Sequence, residues 1–183
     1  MKAVADLFFE AKMLKDIPRA GFAFLGAGSE SIAAHSFAAA FIGYAMSRMD
    51  EAADTQRLIA MCLVHDLPEA RIGDLNYVNK QYVQADEEQA VADLCRNLCF
   101  GEDLAGLIRE FQQQASREAL LAHDADQLAF ILDLKAVADI GVKTPEKWLP
   151  VVVRRLKTDL GKQLAEAILQ TEWDSWWRDG YRE

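Results

Sequence analysis

Apolar residues recur at steps of three and four along almost the whole chain, and no stretch alternates apolar with polar as a half-buried strand would. That pattern restricts the chain to packed helices. Val4, Leu7, Phe8, Ala11 and Leu14 form the stripe of a first helix that ends before Pro18. A loop with Gly21, Gly26 and Gly28 follows, and Ser29 or Ser31 can cap a second helix reaching about Met49. Asp54 can cap a third through Leu58, Cys62 and Leu63, with Pro68 limiting its continuation. Residues 73–84, rich in Asn and Tyr, read as a loop with a short turn, and helices are expected over 86–99, 102–112 and 116–140. Thr144-Pro145-Glu146 marks a further start with proline at the first helical position. The tail carries Leu156, Leu160, Leu164 and Ile168, then Trp173, Trp176 and Trp177, expected to cover the core or a subunit contact. No repeat, low-complexity run or linker divides the chain, so residues 1–183 are expected to form one all-α domain.

Composition narrows the partners. Hydrophobic residues make up 51% of the 183 positions, enough to build a core and to exclude a disordered chain. A net charge of −9 argues against a nucleic-acid polymer as partner, because phosphate backbones are bound by basic surfaces. A small anionic substrate stays compatible, since a bound cation and one or two arginines reverse the local field. No apolar run is long enough to span a bilayer, so no membrane is expected, and Met1-Lys2-Ala3-Val4-Ala5-Asp6 lacks a signal-peptide core. Cys62, Cys95 and Cys99 are odd in number and sparse, which suits a reducing cytoplasm with each acting as a small hydrophobe. On a continuous helix Cys95 and Cys99 would be neighbours on one apolar face.

The chemistry concentrates in Leu63-Val64-His65-Asp66-Leu67-Pro68-Glu69. His35, Ala38, Ile42, Ala45 and Met49 share one helix face, and Leu58, Cys62, His65 and Asp66 share another. A histidine on an apolar face is commonly a hydrogen-bonded core residue. Here two of only three histidines lie on such faces, and one adjoins an aspartate that is expensive to bury unless paired or ligating. Two imidazoles and two carboxylates on separate helices can converge on one divalent ion. Spacing leaves the last carboxylate open, because Asp124 aligns with Leu121, Leu128 and Ile131 while Asp126 aligns with Ala122, Phe130, Leu134 and Val137.

Read in order, these segments resemble the HD-domain phosphohydrolase superfamily, and within it the 5′-deoxynucleotidase-like branch. The residues that carry the resemblance are Ile17-Pro18-Arg19-Ala20-Gly21-Phe22, Glu30-Ser31-Ile32-Ala33-Ala34-His35-Ser36, His65-Asp66-Leu67-Pro68-Glu69-Ala70-Arg71-Ile72-Gly73-Asp74 and Ala125-Asp126-Gln127-Leu128. The resemblance implies a helical bundle of the HD-domain type, with a motif-bearing core over about 29–140 and helices across 144–178 packing on it. It implies His35, His65, Asp66 and Asp126 as ligands of one divalent metal ion, Glu69 and Asp74 as active-site acids, and Arg19 as the grip on substrate phosphate. A homodimer is a further implication. Two positions depart from the branch, Ala20 where some members carry a large aromatic and Phe22 where others carry tryptophan.

The activity so implied is hydrolysis of (deoxy)nucleoside 5′-monophosphates to nucleoside and phosphate. Mixed nitrogen and oxygen donors suit Mn²⁺, Co²⁺, Fe²⁺, Ni²⁺ or Zn²⁺, and Mg²⁺ less readily. Competing readings on the same scaffold are triphosphate, pyrophosphate or phosphodiester hydrolysis, and a non-catalytic nucleotide-binding module.

Overall fold

The period in the sequence resolves into helices and no strand in the computed structural model, which describes residues 1–181. The order is α1 (Lys2–Met13), α2 (Phe22–Leu25), α3 (Ile32–Met49), α4 (Thr55–Val64), α5 (Glu69–Ile72), α6 (Glu87–Cys95), α7 (Gly101–Gln113), α8 (Arg117–Asp139), α9 (Pro145–Val153), α10 (Asp159–Gln170) and α11 (Ser175–Arg178). Side-chain caps set several starts. Ser31, Asp54, Asp86, Ser116 and Thr158 each accept a hydrogen bond from the backbone N–H three residues on. Pro145 opens α9 as its fixed φ favours.

Helices α3, α4 and α8 pack on one another, and α9 and α10 close against α8. Their shared core holds Met46, Leu58, Met61, Leu128, Ile131 and Leu134. A second cluster, with Leu14, Ile32, Leu67, Leu94 and Ile108, ties the chain's N-terminal part to α6 and α7. Between these two clusters lie the first turn of α3 and the end of α4, which is where the motif residues sit.

Packing overrides several faces expected from spacing. On α3 the buried face runs through Ile32, His35, Ala39, Gly43 and Met46, leaving Ala45 and Met49 exposed. The helix is apolar on more than one side, and its orientation follows Gly43, where an added Cβ would come within 2.8 Å of Cys62 Sγ. On α1 only Leu7, Ala11 and then Leu14 reach the second cluster, and Phe8 is exposed because no helix covers that side. The helix expected to reach Cys99 ends at Cys95, where Arg96 turns extended ahead of a left-handed Asn97. Cys99 is therefore exposed rather than the helical neighbour of Cys95, whereas Cys62 is buried as expected. The aromatic tail does not cover the core either. Trp173, Trp176 and Trp177 stay 46%, 82% and 42% exposed, with the tail anchored by the Trp173 N–H donating to Asp139.

The Gly43–Cys62 approach makes a testable contribution. Gly43→Ala overpacks a closed contact, at a cost of about 1–3 kcal/mol, against about 1 kcal/mol gained in helix propensity. Denaturant unfolding is expected to show a net loss. Adding Cys62→Ala should make the double loss smaller than the sum of the singles; strict additivity would mean the contact is not tight.

Candidate metal centre and its cleft

His35 lies in the first turn of α3, fully buried. His65 is the C-cap of α4 and keeps helical angles (φ −58°, ψ −36°), so Asp66 follows it around the same turn. Pro68 then permits only a short continuation, and Glu69 opens α5. Gly73, at φ 73°, turns the chain so that Asp74 comes back toward the site. Asp126 arrives from the middle of α8.

These side chains meet. His35 Nε2 stands 2.8 Å from Asp126 Oδ1 and 4.0 Å from Asp66 Oδ2. His65 Nε2 stands 3.2 Å from Asp66 Oδ2 and 3.9 Å from Asp126 Oδ1. One donor atom each from His35, His65 and Asp126 falls within 4.8 Å of the others. His65 Nδ1 donates to the Cys62 carbonyl at 2.8 Å, which turns Nε2 toward the carboxylates. Buried His65 Nε2 and Asp66 Oδ2 have no hydrogen-bond partner. Buried polar atoms left without hydrogen bonds beside two carboxylates are costly unless a cation joins them. The donor set therefore fits a divalent metal ion.

The two aspartates that spacing could not separate take opposite roles. Asp124, also fully buried, accepts hydrogen bonds from the Lys157 and Thr158 backbone N–H groups and the Thr158 hydroxyl at 2.8, 2.7 and 2.6 Å. It holds the turn into α10, and His123 lies beside it at 3.3 Å. Only Asp126 turns toward the two histidines.

Arg19 is brought in by an antiparallel bridge between Pro18 and Ser31, with the Arg19 N–H donating to the Glu30 carbonyl at 2.9 Å. Its guanidinium stands 3.6 Å from Asp66. Asp74 Oδ2 accepts from the Ala20 N–H at 2.8 Å, so this acid also fixes the arginine loop. Phe22 lines the cleft, and Ala20 does not.

The local field is strongly negative. Burial opposes the Arg19 charge, but Asp66, Asp126, Asp74 and Glu69 together raise its pKa above the usual arginine value. Burial disfavours the His65 imidazolium too, yet Asp66 and Asp126 pull its pKa up to about 9. Asp126 opposes its own desolvation through His35 and His65 and is held below the ordinary carboxylate range. Burial and the charges of Asp66 and Asp74 push Glu69 up to about 9.

Two acids without a role in the spacing argument stand behind His35. Glu30 Oε2 lies 3.8 Å from His35 Nδ1. Burial and Asp133 raise Glu30 to about 8, and burial raises Asp133 as well. Asp133 lies seven residues after Asp126 on α8, a same-face spacing that could have flagged it. Gln127 donates to Asp126 Oδ2 at 2.7 Å, and Arg155 reaches Gln127 at 3.5 Å. No local signal pointed to Arg155, which comes from beyond α9.

The sequence profile of the HD domain matches residues 11–168, which takes in every one of these side chains. The chain belongs to the HD domain family. It is 29% identical over 133 residues to the mouse 5′-deoxynucleotidase HDDC2, a match spanning 69% of this chain and 66% of the relative. The Dictyostelium discoideum 5′-deoxynucleotidase HDDC2 is 28% identical over 144 residues, spanning 72% of this chain and 76% of the relative. This chain thus spans just under two thirds of the mouse relative's length. The PH0347 protein from Pyrococcus horikoshii OT3 superposes with a TM-score of 0.76 at 27% identity, covering 91% of this chain and 98% of its own.

Proposed function

We propose that this HD domain is a metal-dependent phosphomonoesterase acting on (deoxy)nucleoside 5′-monophosphates. The observation that carries the reading is the convergence of buried His65 Nε2 with Asp66, Asp126 and His35 at the floor of a cleft that Arg19 overlooks. The similarity to proteins named 5′-deoxynucleotidase supports the substrate class. We assign His35, His65, Asp66 and Asp126 as ligands of one divalent ion, with Mn²⁺, Co²⁺, Fe²⁺, Ni²⁺ and Zn²⁺ better suited than Mg²⁺ to the nitrogen and oxygen donors. When bound, such an ion supplies Lewis-acid polarisation of the phosphate and acidifies water.

The chain's own residues do the rest. Arg19 grips phosphate oxygens through paired N–H donors and offsets their charge. Glu69 opens α5 just after the His65–Asp66 pair and lines the same cleft. It takes a proton from the attacking water and passes one to the leaving 5′-oxygen. Asp74 holds the Arg19–Ala20 loop and is assigned to the sugar hydroxyl on the same side of the cleft. Ala20 is small and stays out of the cleft lining, so nothing at position 20 crowds a 2′-hydroxyl and the reading extends to ribonucleotides.

We further read residues 1–183 as one domain in the cytoplasm, which the unpaired cysteines support. No helix among the described residues is long and apolar enough to cross a membrane. A homodimer is supported by Phe37, Phe41 and Tyr44, spaced along one exposed face of α3. A nucleic-acid polymer as partner is disfavoured by the net charge of −9.

The test is phosphate release by metal-stripped protein resupplied with Mn²⁺, Co²⁺ or Mg²⁺, across deoxy- and ribonucleoside 5′- and 3′-monophosphates and triphosphates. Metal-dependent release from 5′-monophosphates is expected, and Arg19→Ala and Glu69→Ala should each lower it at least about tenfold. Cleavage of triphosphates alone would sink the monophosphatase reading, and full activity in either variant would remove that residue from the mechanism.

A further inference from the structure

Beside the metal cleft lies a second cavity, of about 610 Å³, that the hydrolytic step leaves unused. Its wall combines Phe24 of α2, Tyr77 and Val78 of the following loop, Phe130 of α8, and Trp148 and Val151 of α9. It is continuous with the metal cleft, since Phe24, Tyr77, Phe130, Trp148 and Arg155 line both. The two differ in chemistry. Asp66, Glu69, Asp74 and Asp126 line the cleft, whereas no carboxylate lines the second cavity.

Phe130 and Trp148 back onto the core, and other apolar side chains of the wall are left over from it. Phe24, Tyr77, Val78 and Val151 remain 44%, 78%, 42% and 42% exposed around it. Phe130 and Trp148 meet edge to face, with centroids 6.0 Å apart and planes at 74°. Such a corner presents one ring face to stack on and one ring edge to pack beside. The charged groups at its rim, Lys147 and Arg155, offer donors and no acceptor.

We propose that this cavity is the base subsite: it receives the heterocyclic base of the substrate, stacked within the corner of Phe130 and Trp148, while the phosphate lies at Arg19. The proposal rests on the nucleotide reading above and deepens it. A nucleoside monophosphate has an anionic end and a flat, weakly polar end joined by one sugar. Two adjoining cavities, one carrying the carboxylates and Arg19 and the other apolar and free of acids, match that molecule end for end. Stacking on aromatic side chains tolerates every base because each has a π-face. Lys147 and Arg155 then meet the carbonyl and ring-nitrogen acceptors at the base's edge. The subsite favours an aromatic leaving group over a bare sugar.

Binding and turnover test it separately. Metal-loaded protein is titrated with a nucleoside that lacks phosphate, and with deoxyribose 5-phosphate, while indole emission is read. The nucleoside is expected to quench emission saturably, the sugar phosphate is not, and Trp148→Phe should remove the nucleoside-dependent quench although three other tryptophans remain. In turnover, Val151→Arg and Tyr77→Ala, both at exposed positions, should lower the preference for a nucleotide over deoxyribose 5-phosphate by about tenfold in kcat/KM. A quench undiminished in Trp148→Phe, or a preference unchanged in both variants, would overturn the assignment. Nucleoside quenching lost in Trp148→Phe, in a protein that hydrolyses no monophosphate, would uphold the base subsite and count against the phosphatase reading instead.

Discussion

Asp126→Asn is expected to lower phosphate release by about 10³-fold or more and to leave the protein unable to retain its divalent ion through desalting. The substitution keeps volume and an oxygen beside His35 Nε2, now 2.8 Å away, so the helices have little reason to move. What it removes is the negative charge that faces both imidazoles and Arg19. Lewis-acid stabilisation of several kcal/mol corresponds to a loss of this order, since each 1.4 kcal/mol is about tenfold. Metal content by elemental analysis and phosphate release with excess metal should fall together, with the helical circular dichroism retained. Full metal content with full activity would remove Asp126 from the centre and leave His65 and Asp66 as its basis.

Asp124→Ala, only two residues away, should do the reverse and strike stability. It strips partners from two backbone N–H groups and one hydroxyl at the turn before α10. Leaving a buried donor unpaired costs about 1–3 kcal/mol, and partial hydration of the vacated space reduces the sum to about 3 kcal/mol. For a chain of this length that lowers Tm by about 6–12 °C. Gly161 packs directly on this carboxylate, where an added Cβ would come within 2.3 Å of Oδ2, so no larger residue can take its place from that side. Burial opposes ionisation of Asp124, but His123, Thr158 and the two amides outweigh it and depress its pKa. Its folded value lies below the unfolded value of about 3.9. The stabilisation is therefore complete above that value and lost as the pH falls through the folded one. Calorimetry of the two proteins should show a Tm gap constant at neutral pH that narrows only in acid. Metal content of the variant, read well below its transition, should match the parent.

These two aspartates show where sequence reasoning stops. Helix α8 carries apolar residues on more than one side, so its period marks Asp124 and Asp126 alike as facing inward, and both are indeed inside. What each faces depends on chain segments remote in sequence: α3 and α4 for Asp126, and the turn before α10 for Asp124. The motif resemblance singled out Asp126 among them. The geometry brings it to His35 and leaves Asp124 to a hydrogen-bonding task that no motif records.

Other parts were legible because their causes are local. A cap acts across three residues, so Ser31, Asp54 and Ser116 could be read as helix starts from their neighbours alone. The adjacency of His65 and Asp66 at the end of α4 follows from helical spacing and a proline two residues on. Cys99 and the core-covering alternative for the tryptophans failed for the opposite reason, since periodicity cannot show where a turn after Cys95 breaks a helix or whether any element covers a face.

The amino-acid sequence by itself determined that this chain is all helix, where its main helices begin, and which histidines and acids lie at helix ends that can converge. Each of these depends on intervals of one to four residues, over which backbone geometry is nearly fixed. Only the tertiary structure decided which face of α3 is buried, what Asp124 holds instead of a metal, and that Glu30 and Asp133 stand behind His35. It also joined Phe24, Tyr77, Phe130 and Trp148 around one cavity beside the metal cleft. Those outcomes depend on which surfaces fill the space between α3, α4, α8 and α9, and side-chain packing settles that only when all four helices are in place.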